Sequence, residues 1–101
     1  ELKAVRVSER ALVLLRYGDE LLALRDICPH YGAPLSGGVV SCARLVGGVG
    51  EYPIDESIPI VRCPWHNWEF DARSGRCQQD DRKRVAVYDI EVVDGEVFVT
   101  L

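Results

Sequence analysis

Apolar and polar residues alternate along the N-terminal third of the chain, which is the pattern of a β-strand that buries one of its two faces. Residues 11–17 and 20–25 are two such apolar-rich stretches, and Gly18 and Asp19 stand between them. Glycine adopts positive φ freely and aspartate hydrogen-bonds to nearby backbone, so both residues favour turns. The pattern therefore predicts a β-hairpin, and Cys28 follows shortly after its second strand.

The C-terminal third repeats this alternation. Residues 85–92 alternate between apolar and polar side chains, and Asp94 and Gly95 separate them from residues 96–101. Asp-Gly is one of the strongest signals for a two-residue hairpin turn, because both central positions of that turn need positive φ. We therefore predict a second hairpin at this end of the chain.

The middle of the chain has a different character. Residues 36–59 contain five of the nine glycines and two of the five prolines. Much of this segment is therefore expected to be loop, with short strands at 39–40 and 58–62 near its ends. Residues 68–78 give a moderate strand–turn–strand signal. No segment shows a convincing helical period.

Length and composition place the chain among ordinary globular domains. Its 101 residues fit one domain with a modest core, and 48% of them are apolar and 28% charged. No apolar run approaches the roughly 20 residues that a membrane-spanning helix needs. The net charge of −4 argues against a nucleic-acid partner, because phosphates are neutralised by a basic face. We expect no membrane and no nucleic-acid partner.

Two short motifs concentrate the candidate chemistry of the chain. Cys28 and His30 form a Cys-x-His motif, and after 32 intervening residues Cys63 and His66 form a Cys-x-x-His motif. Each motif offers one thiolate and one imidazole, which are soft and borderline metal ligands. The spacing therefore predicts a metal centre built from two loops.

The cysteines are also compatible with disulfides or with zinc. Four cysteines in a short chain can form two disulfides, but a disulfide framework has no need of the neighbouring histidines. A structural zinc site could use the same four ligands, although its usual order pairs the cysteines first and the histidines second. We interpret the remaining Cys42 and Cys77 as small, partly buried thiols, with a mutual disulfide as the alternative. Free thiols suit a cytoplasmic, reducing setting.

The residues around the two motifs distinguish between disulfides, a zinc site and an iron–sulfur cluster. The stretches Cys-Pro-His-Tyr-Gly-Ala-Pro-Leu from Cys28 and Cys-Pro-Trp-His-Asn-Trp-Glu-Phe-Asp from Cys63 resemble the cluster-binding loops of the Rieske iron–sulfur family. The resemblance implies one 2Fe-2S cluster per chain, with Cys28 and Cys63 on one iron and His30 and His66 on the other. Two neutral imidazoles leave the cluster less negative than four thiolates do, and Rieske potentials accordingly lie at about −150 to +300 mV, against about −400 mV for plant-type ferredoxins.

Residues beside the ligands also match a cluster pocket. Pro29 and Pro64 restrict the backbone next to the cysteines, and Gly32 permits close approach of the chain. Backbone N–H groups there are expected to donate to sulfur and to tune the potential. Pro34 resembles the start of the proline-containing loop that covers the cluster in this family.

Departures from the respiratory-chain members of the family are informative. Those proteins have an extra disulfide at the positions of Ala33 and Trp65, and hydroxyl donors at the positions of Trp68 and Phe70. Neither feature exists in this sequence. Fewer donors to the cluster lower its potential. The chain therefore resembles the ferredoxin and oxygenase branch, toward the low end of the Rieske range.

Other positions carry weaker expectations. The insertion at about 36–59 makes the gap between the motifs longer than is common in that branch, and we interpret it as loop variation, with a partner contact as the alternative. Asn67 stands where the family usually has glycine, and asparagine tolerates the positive φ of that turn. We assign a packing role to the nearby aromatic residues, with shielding of the cluster by Trp65 as the alternative: Tyr31, Trp65, Trp68 and Phe70.

The resemblance implies an all-β fold of antiparallel sheets. A base β-sandwich from both ends of the chain would hold an inserted cluster-binding subdomain, roughly residues 27–71, within a single domain at 1–101. The implied function is one-electron transfer as a ferredoxin or ferredoxin component, from a reductase to an oxygenase or another reductase. The alternative is the Rieske portion or small subunit of a larger oxygenase or nitrite reductase. No independent catalytic site is expected, since both histidines of the sequence are assigned to the cluster.

Overall fold

A computed structural model describes residues 2–29, 32–45, 47–51 and 53–101. Within these ranges, the regular structure is antiparallel β-sheet and one short 3₁₀ helix, Leu35–Gly37. The strands, in chain order, are β1 (Leu2–Val7), β2 (Arg10–Tyr17), β3 (Glu20–Arg25), β4 (Val39–Arg44), β5 (Ile54–Arg62), β6 (Glu69–Asp71), β7 (Val87–Val93) and β8 (Glu96–Thr100). The all-β antiparallel fold predicted from the sequence is confirmed.

Strands from both ends of the chain form one five-stranded sheet in the order β1-β2-β3-β7-β8. Both predicted hairpins are present in it. Tyr17 pairs with Glu20 across the first turn, where Gly18 has a φ of +62°. In the second turn Asp94 and Gly95 both have positive φ, +52° and +80°, as a type I′ turn requires.

Strand β1 extends the first hairpin without a sequence signal of its own. It pairs antiparallel with β2 through a two-residue connection at Ser8 and Glu9, whose φ values are +49° and +68°. Positive φ at residues other than glycine, asparagine and aspartate is uncommon, so this turn could not be predicted from its residue types.

The three-stranded sheet, β4-β5-β6, is inserted in the chain between β3 and β7. Its strands correct the prediction for the middle segment, because β4 and β5 include residues 41–44 and 54–57, where loop was expected, and residues 41–44 pair with residues 54, 55, 59 and 60. The pairing continues past a register shift between Cys42 and Ala43. Of the moderate strand–turn–strand signal, β6 forms as predicted, whereas its continuation makes isolated bridges, from Cys77 to Phe70 and from Arg76 to Arg84.

One apolar cluster joins the two sheets. Val13 and Leu24 come from the five-stranded sheet, Val61 and Phe70 come from the three-stranded sheet, and all four are fully buried. The cysteines of both predicted ligand motifs belong to the same cluster. Both motifs therefore begin on the packed core. No helix in the described part of the chain is long and apolar enough to cross a bilayer.

Candidate metal centre

The first ligand loop follows β3 and is closed by its own backbone. The N–H of Cys28 donates to the carbonyl of Ala33 (2.8 Å), and the N–H of Gly32 donates to the carbonyl of Cys28 (2.8 Å). Gly32 has a φ of +75°, and a Cβ built there would meet no protein atom within 4 Å. Glycine is therefore required at this position because it can adopt positive φ, and not because a larger side chain would clash with the protein.

The second ligand loop joins β5 to β6 and closes in the same way. The N–H of Cys63 donates to the carbonyl of Trp68 (2.7 Å), again five residues along the chain. The turn is made by His66 and Asn67, whose φ values are +64° and +57°. Asn67 thus adopts the positive φ expected of it. Positive φ at His66 was not predicted, and non-glycine residues in this region are enriched at functional sites because the conformation is strained.

The two loops bring the side chains of Cys28 and Cys63 together. Each residue is only 1% exposed, and both belong to the same buried cluster. The pKa of the Cys63 thiol is raised to about 11, mainly by burial; a hydrogen bond from the Trp65 N–H to Cys63 Sγ (3.4 Å) lowers it, and the Cys28 side chain raises it. A bound metal cation reverses this preference, because it stabilises thiolates directly.

The two predicted histidine ligands are less well defined by the structure than the two cysteines. His66 lies three residues after Cys63 in the second loop, while His30, like Tyr31, falls outside the described residues. Among the residues that are described, no three ligand-type side chains converge on a point that could hold a single metal ion. The structure thus unites the two cysteines, and the assignment of the two histidines as ligands stays a prediction.

The segment after the first loop packs on the second loop. Gly37, in the 3₁₀ helix, lies beside Pro64, and a Cβ at Gly37 would be 3.7 Å from Pro64 Cγ. Gly38 is closer still, since a Cβ there would lie 1.8 Å from the Arg62 carbonyl oxygen. Only glycine fits against that carbonyl. The chain that leaves Pro34 therefore touches both sides of Cys63.

Two buried carboxylates flank the loops, and neither was identified from the sequence. Asp26 is 8% exposed and lies two residues before Cys28; Glu69 is 6% exposed and directly follows the second loop. The only sequence signal for Asp26 and Glu69 is their position, because each lies where a strand meets a ligand motif. Because buried carboxylates need donors, the folded structure is what reveals their roles.

Glu69 is held by cations. Its Oε1 accepts from Arg44 Nη2 (2.7 Å) and Gln79 Nε2 (2.9 Å), and its Oε2 accepts from Arg62 Nη2 (3.1 Å). Burial alone would raise the pKa of Glu69, but these hydrogen bonds outweigh burial and hold it below its usual value. Residues from β4, β5 and the chain after β6 are thereby tied to the end of the second loop.

The other cysteines and the aromatic residues follow the sequence predictions in part. All four cysteines are free thiols, so Cys42 and Cys77 form no disulfide, and Cys77 is buried as expected. Phe70 is fully buried and Trp68 packs against the core, which confirms a packing role for both. For Trp65 the packing role was wrong, because 52% of this residue is exposed. Shielding of the cluster by Trp65 stays a prediction.

The residues present fit a Rieske cluster. Two adjacent thiols are buried at the meeting point of two loops, a backbone N–H donates to one sulfur, and an imidazole lies in the same loop. The cysteine sulfurs on the core side are soft metal ligands, and the imidazole in the loop is a borderline ligand. This combination matches mixed cysteine and histidine ligation of iron.

Comparison with known proteins agrees with this donor set. The family model for the Rieske [2Fe-2S] domain matches residues 1–90. The anthranilate 1,2-dioxygenase ferredoxin subunit of Burkholderia cepacia is 34% identical over 101 residues, which cover 97% of this chain and 78% of that protein. The methylxanthine N1-demethylase NdmA of Pseudomonas putida is 37% identical over 75 residues, which cover 74% of this chain but only 16% of that much longer protein.

Solved structures lead to the same family. A chain from the complex of reduced oxygenase and oxidized ferredoxin in carbazole 1,9a-dioxygenase has a TM-score of 0.71 and 27% identity, and the match covers 98% of this chain and 87% of that one. The family match spans both ligand motifs and most of both sheets. A Rieske-type 2Fe-2S cluster is therefore the cofactor, and the chain belongs to the Rieske [2Fe-2S] domain family.

Proposed function

We propose that this chain carries single electrons as a Rieske-type ferredoxin component, and that Cys28, His30, Cys63 and His66 hold its cluster. The observation that supports this most directly is the pair of buried thiols of Cys28 and Cys63, which lie in one cluster at the junction of the two matching loops. When bound, the cluster supplies reversible one-electron oxidation and reduction. No other part of the described chain offers comparable redox chemistry.

Each group of the site has a distinct task in this proposal. Cys28 and Cys63 would hold the cluster on the core side, where burial excludes water. His30 and His66 would hold it on the other side, and Trp65, next to His66 in the second loop, is half exposed. The electron would therefore leave through the histidine side, because that is where the chain faces solvent and a partner can approach.

The residues around the site favour a potential near the bottom of the Rieske range. Trp68 and Phe70 have no hydroxyl group, and both are packed in or against the core. The Trp65 N–H is a donor to Cys63 Sγ, but a side-chain hydroxyl is missing at these two positions. Fewer hydrogen bonds to the sulfurs stabilise the reduced state less. We expect a midpoint toward about −150 mV.

For partners, we propose a reductase as donor and an oxygenase component as acceptor, in the cytoplasm. Support comes from the relative that is itself the ferredoxin subunit of an anthranilate dioxygenase, and from the similar chain in a complex of oxygenase and ferredoxin. The free state of all four thiols agrees with a reducing compartment.

A second candidate is the Rieske portion of a larger oxygenase. The similarity to part of the methylxanthine demethylase supports it. An oxygenase also needs a mononuclear iron, commonly bound by two histidines and a carboxylate. The sequence contains two histidines, both assigned to the cluster, so the oxygenation site would have to be supplied by other residues of such an enzyme.

Electron paramagnetic resonance of the dithionite-reduced protein, with iron and sulfide analysis and a redox titration, tests the proposal. We expect two irons and two sulfides per chain, the low average g value of mixed histidine and cysteine ligation, and a midpoint toward the low end of the range. A colourless protein with one equivalent of zinc and no reducible centre would overturn the proposal. If the cluster is present, reduction of a purified oxygenase component by the reduced protein would distinguish an electron carrier from a protein with another redox role.

A further inference from the structure

Asp26 has an unusual place among the buried groups of the structure. It follows the end of β3 and precedes Cys28 by two residues. Both of its carboxylate oxygens are used by one residue: Oδ1 accepts from the Ser36 N–H (2.6 Å) and Oδ2 accepts from the Ser36 hydroxyl (2.6 Å). Hydrogen bonds to a carboxylate are short and roughly twice as strong as neutral ones. Asp26 and Ser36 therefore fix one another in a single orientation.

Ser36 passes this restraint to the second loop. It is the central residue of the 3₁₀ helix Leu35–Gly37, and Leu35 is fully buried in the cluster that contains both ligand cysteines. Gly37 then lies against Pro64, and Gly38 lies directly over the Arg62 carbonyl. The residues on both sides of Cys63 are thus in contact with a segment whose other end is bonded to the chain just before Cys28.

We propose that Asp26 and Ser36 are positioning residues, a clamp that holds the two ligand loops in register so that Cys28 and Cys63 can share one iron. The inference rests on the proposed function, because it assumes that these two cysteines bind the cluster. Neither clamp residue is one of the four proposed ligands. Their effect is exerted through the spacing of the two sulfurs.

The chain contains a matched control for this clamp. Asp55 Oδ1 accepts from both the Ser57 N–H (3.0 Å) and the Ser57 hydroxyl (2.5 Å), so the same residue pair occurs with the same two donors. Both hydrogen bonds are exposed, and the pair lies on β5, eight and six residues before Cys63. Replacing Ser57 removes an equivalent hydrogen bond without touching the segment between the loops.

The test compares Ser36→Ala with Ser57→Ala in the reconstituted protein. The readouts are the rate of cluster loss to an iron chelator and the resonance spectrum of the reduced cluster. A charge-assisted hydrogen bond is worth roughly tenfold or more in a rate or equilibrium. We expect Ser36→Ala to lose its cluster about tenfold faster and to show shifted g values. Ser57→Ala and Ser36→Thr, which keeps the hydroxyl, should match the parent.

A milder variant keeps the test decisive if Ser36→Ala does not fold. Asp26→Asn preserves the shape of the clamp, with its amide oxygen accepting from the Ser36 N–H and its amide nitrogen donating to the Ser36 hydroxyl. Both hydrogen bonds are then neutral, so a smaller acceleration of cluster loss is expected. If the parent holds a cluster and both clamp variants behave like Ser57→Ala, the clamp is refuted while the proposed function stands. If the parent takes up no iron and sulfide, the proposed function fails and the clamp fails with it.

Discussion

The two ligand loops are alike in backbone and different in the residues that achieve it. In each, the cysteine N–H donates to the carbonyl five residues later. The first loop turns at Gly32, whose positive φ costs little, whereas the second turns at His66 and Asn67, which adopt the same region without being glycine. Among the described residues, the turn therefore uses glycine in the first loop and residues strained by positive φ in the second.

The loops also differ in how they are anchored. Asp26, beside the first loop, is bonded to neutral donors of Ser36. Glu69, beside the second loop, is bonded to the guanidinium groups of Arg44 and Arg62. The strained loop is thus the one with the charged anchor. Similar loops around one cluster can therefore be stabilised by different local means.

The largest expected effect comes from replacing the cysteine of either ligand loop, and it should be the same for both loops. Cys28→Ser and Cys63→Ser should each abolish cluster assembly, because each removes one of the two thiolates proposed for one iron. A cluster that assembles in His66→Cys should have a markedly lower reduction potential, since a thiolate adds negative charge. Visible absorption and iron content check this. Cys42→Ser is the control and should retain full colour; a coloured Cys28→Ser protein would show that the loops are not equivalent.

The next effect concerns the charged anchor. Glu69→Gln should lower the free energy of unfolding by roughly 2–3 kcal/mol, because it weakens hydrogen bonds to two cations in a buried place. Urea denaturation of the apoprotein measures the loss. Glu20→Gln removes a solvent-exposed partner of Arg73 and is the control, with little change expected. Equal losses in the two variants would contradict a special role for Glu69.

The same residue predicts a pH dependence. The pKa of Glu69 is lower in the folded protein than its usual value of 4.5. Its stabilisation is therefore fully present above the unfolded-state pKa and is lost as the pH falls through the lower, folded-state value. Denaturation of the apoprotein between pH 7 and pH 3 should show this loss, and Glu69→Gln should reduce it. An unchanged profile in the variant would exclude Glu69 as its source.

A smaller effect probes the glycine turn of the first loop. Gly32→Ala should destabilise the apoprotein by about 1–2 kcal/mol, since an alanine would have to hold positive φ. Steric contact is not the cause, because the site is open to a Cβ. Gly37→Ala is the matched control: its φ is not positive, and the nearest atom would be in ordinary contact at 3.7 Å. Thermal denaturation compares the two, and similar losses would refute the conformational cause.

The smallest effect probes the strained loop. Asn67→Gly should change the free energy of unfolding by less than about 0.5 kcal/mol, because relief of positive φ is offset by the greater freedom of glycine in the unfolded chain. Asn67→Val should destabilise clearly, since β-branched residues avoid this region. If Asn67→Gly instead stabilises the protein strongly, the second loop is more strained than its φ values indicate.

Much of the fold was readable from local patterns. Alternation and the turn residues Gly18, Asp94 and Gly95 predicted both hairpins, because strand period and turn geometry are properties of short segments. The turn at Ser8 and Glu9 has no such signal. The strands at 41–44 and 54–57 were missed for a related reason: the glycines and prolines nearby indicated loop, and pairing between β4 and β5 decided otherwise.

The sequence by itself indicated the chemistry of this protein, because its two short motifs offer metal ligands and their flanking residues resemble the cluster-binding loops of the family to which the chain belongs. Only the tertiary structure decided which groups support those motifs. Asp26 meets Ser36, and Gly38 meets Arg62, through contacts between residues far apart in sequence. Such contacts depend on how the sheets and loops pack, and no local pattern of residues encodes them. Ligand identity is a local property, whereas the position of the ligands is a property of the whole fold.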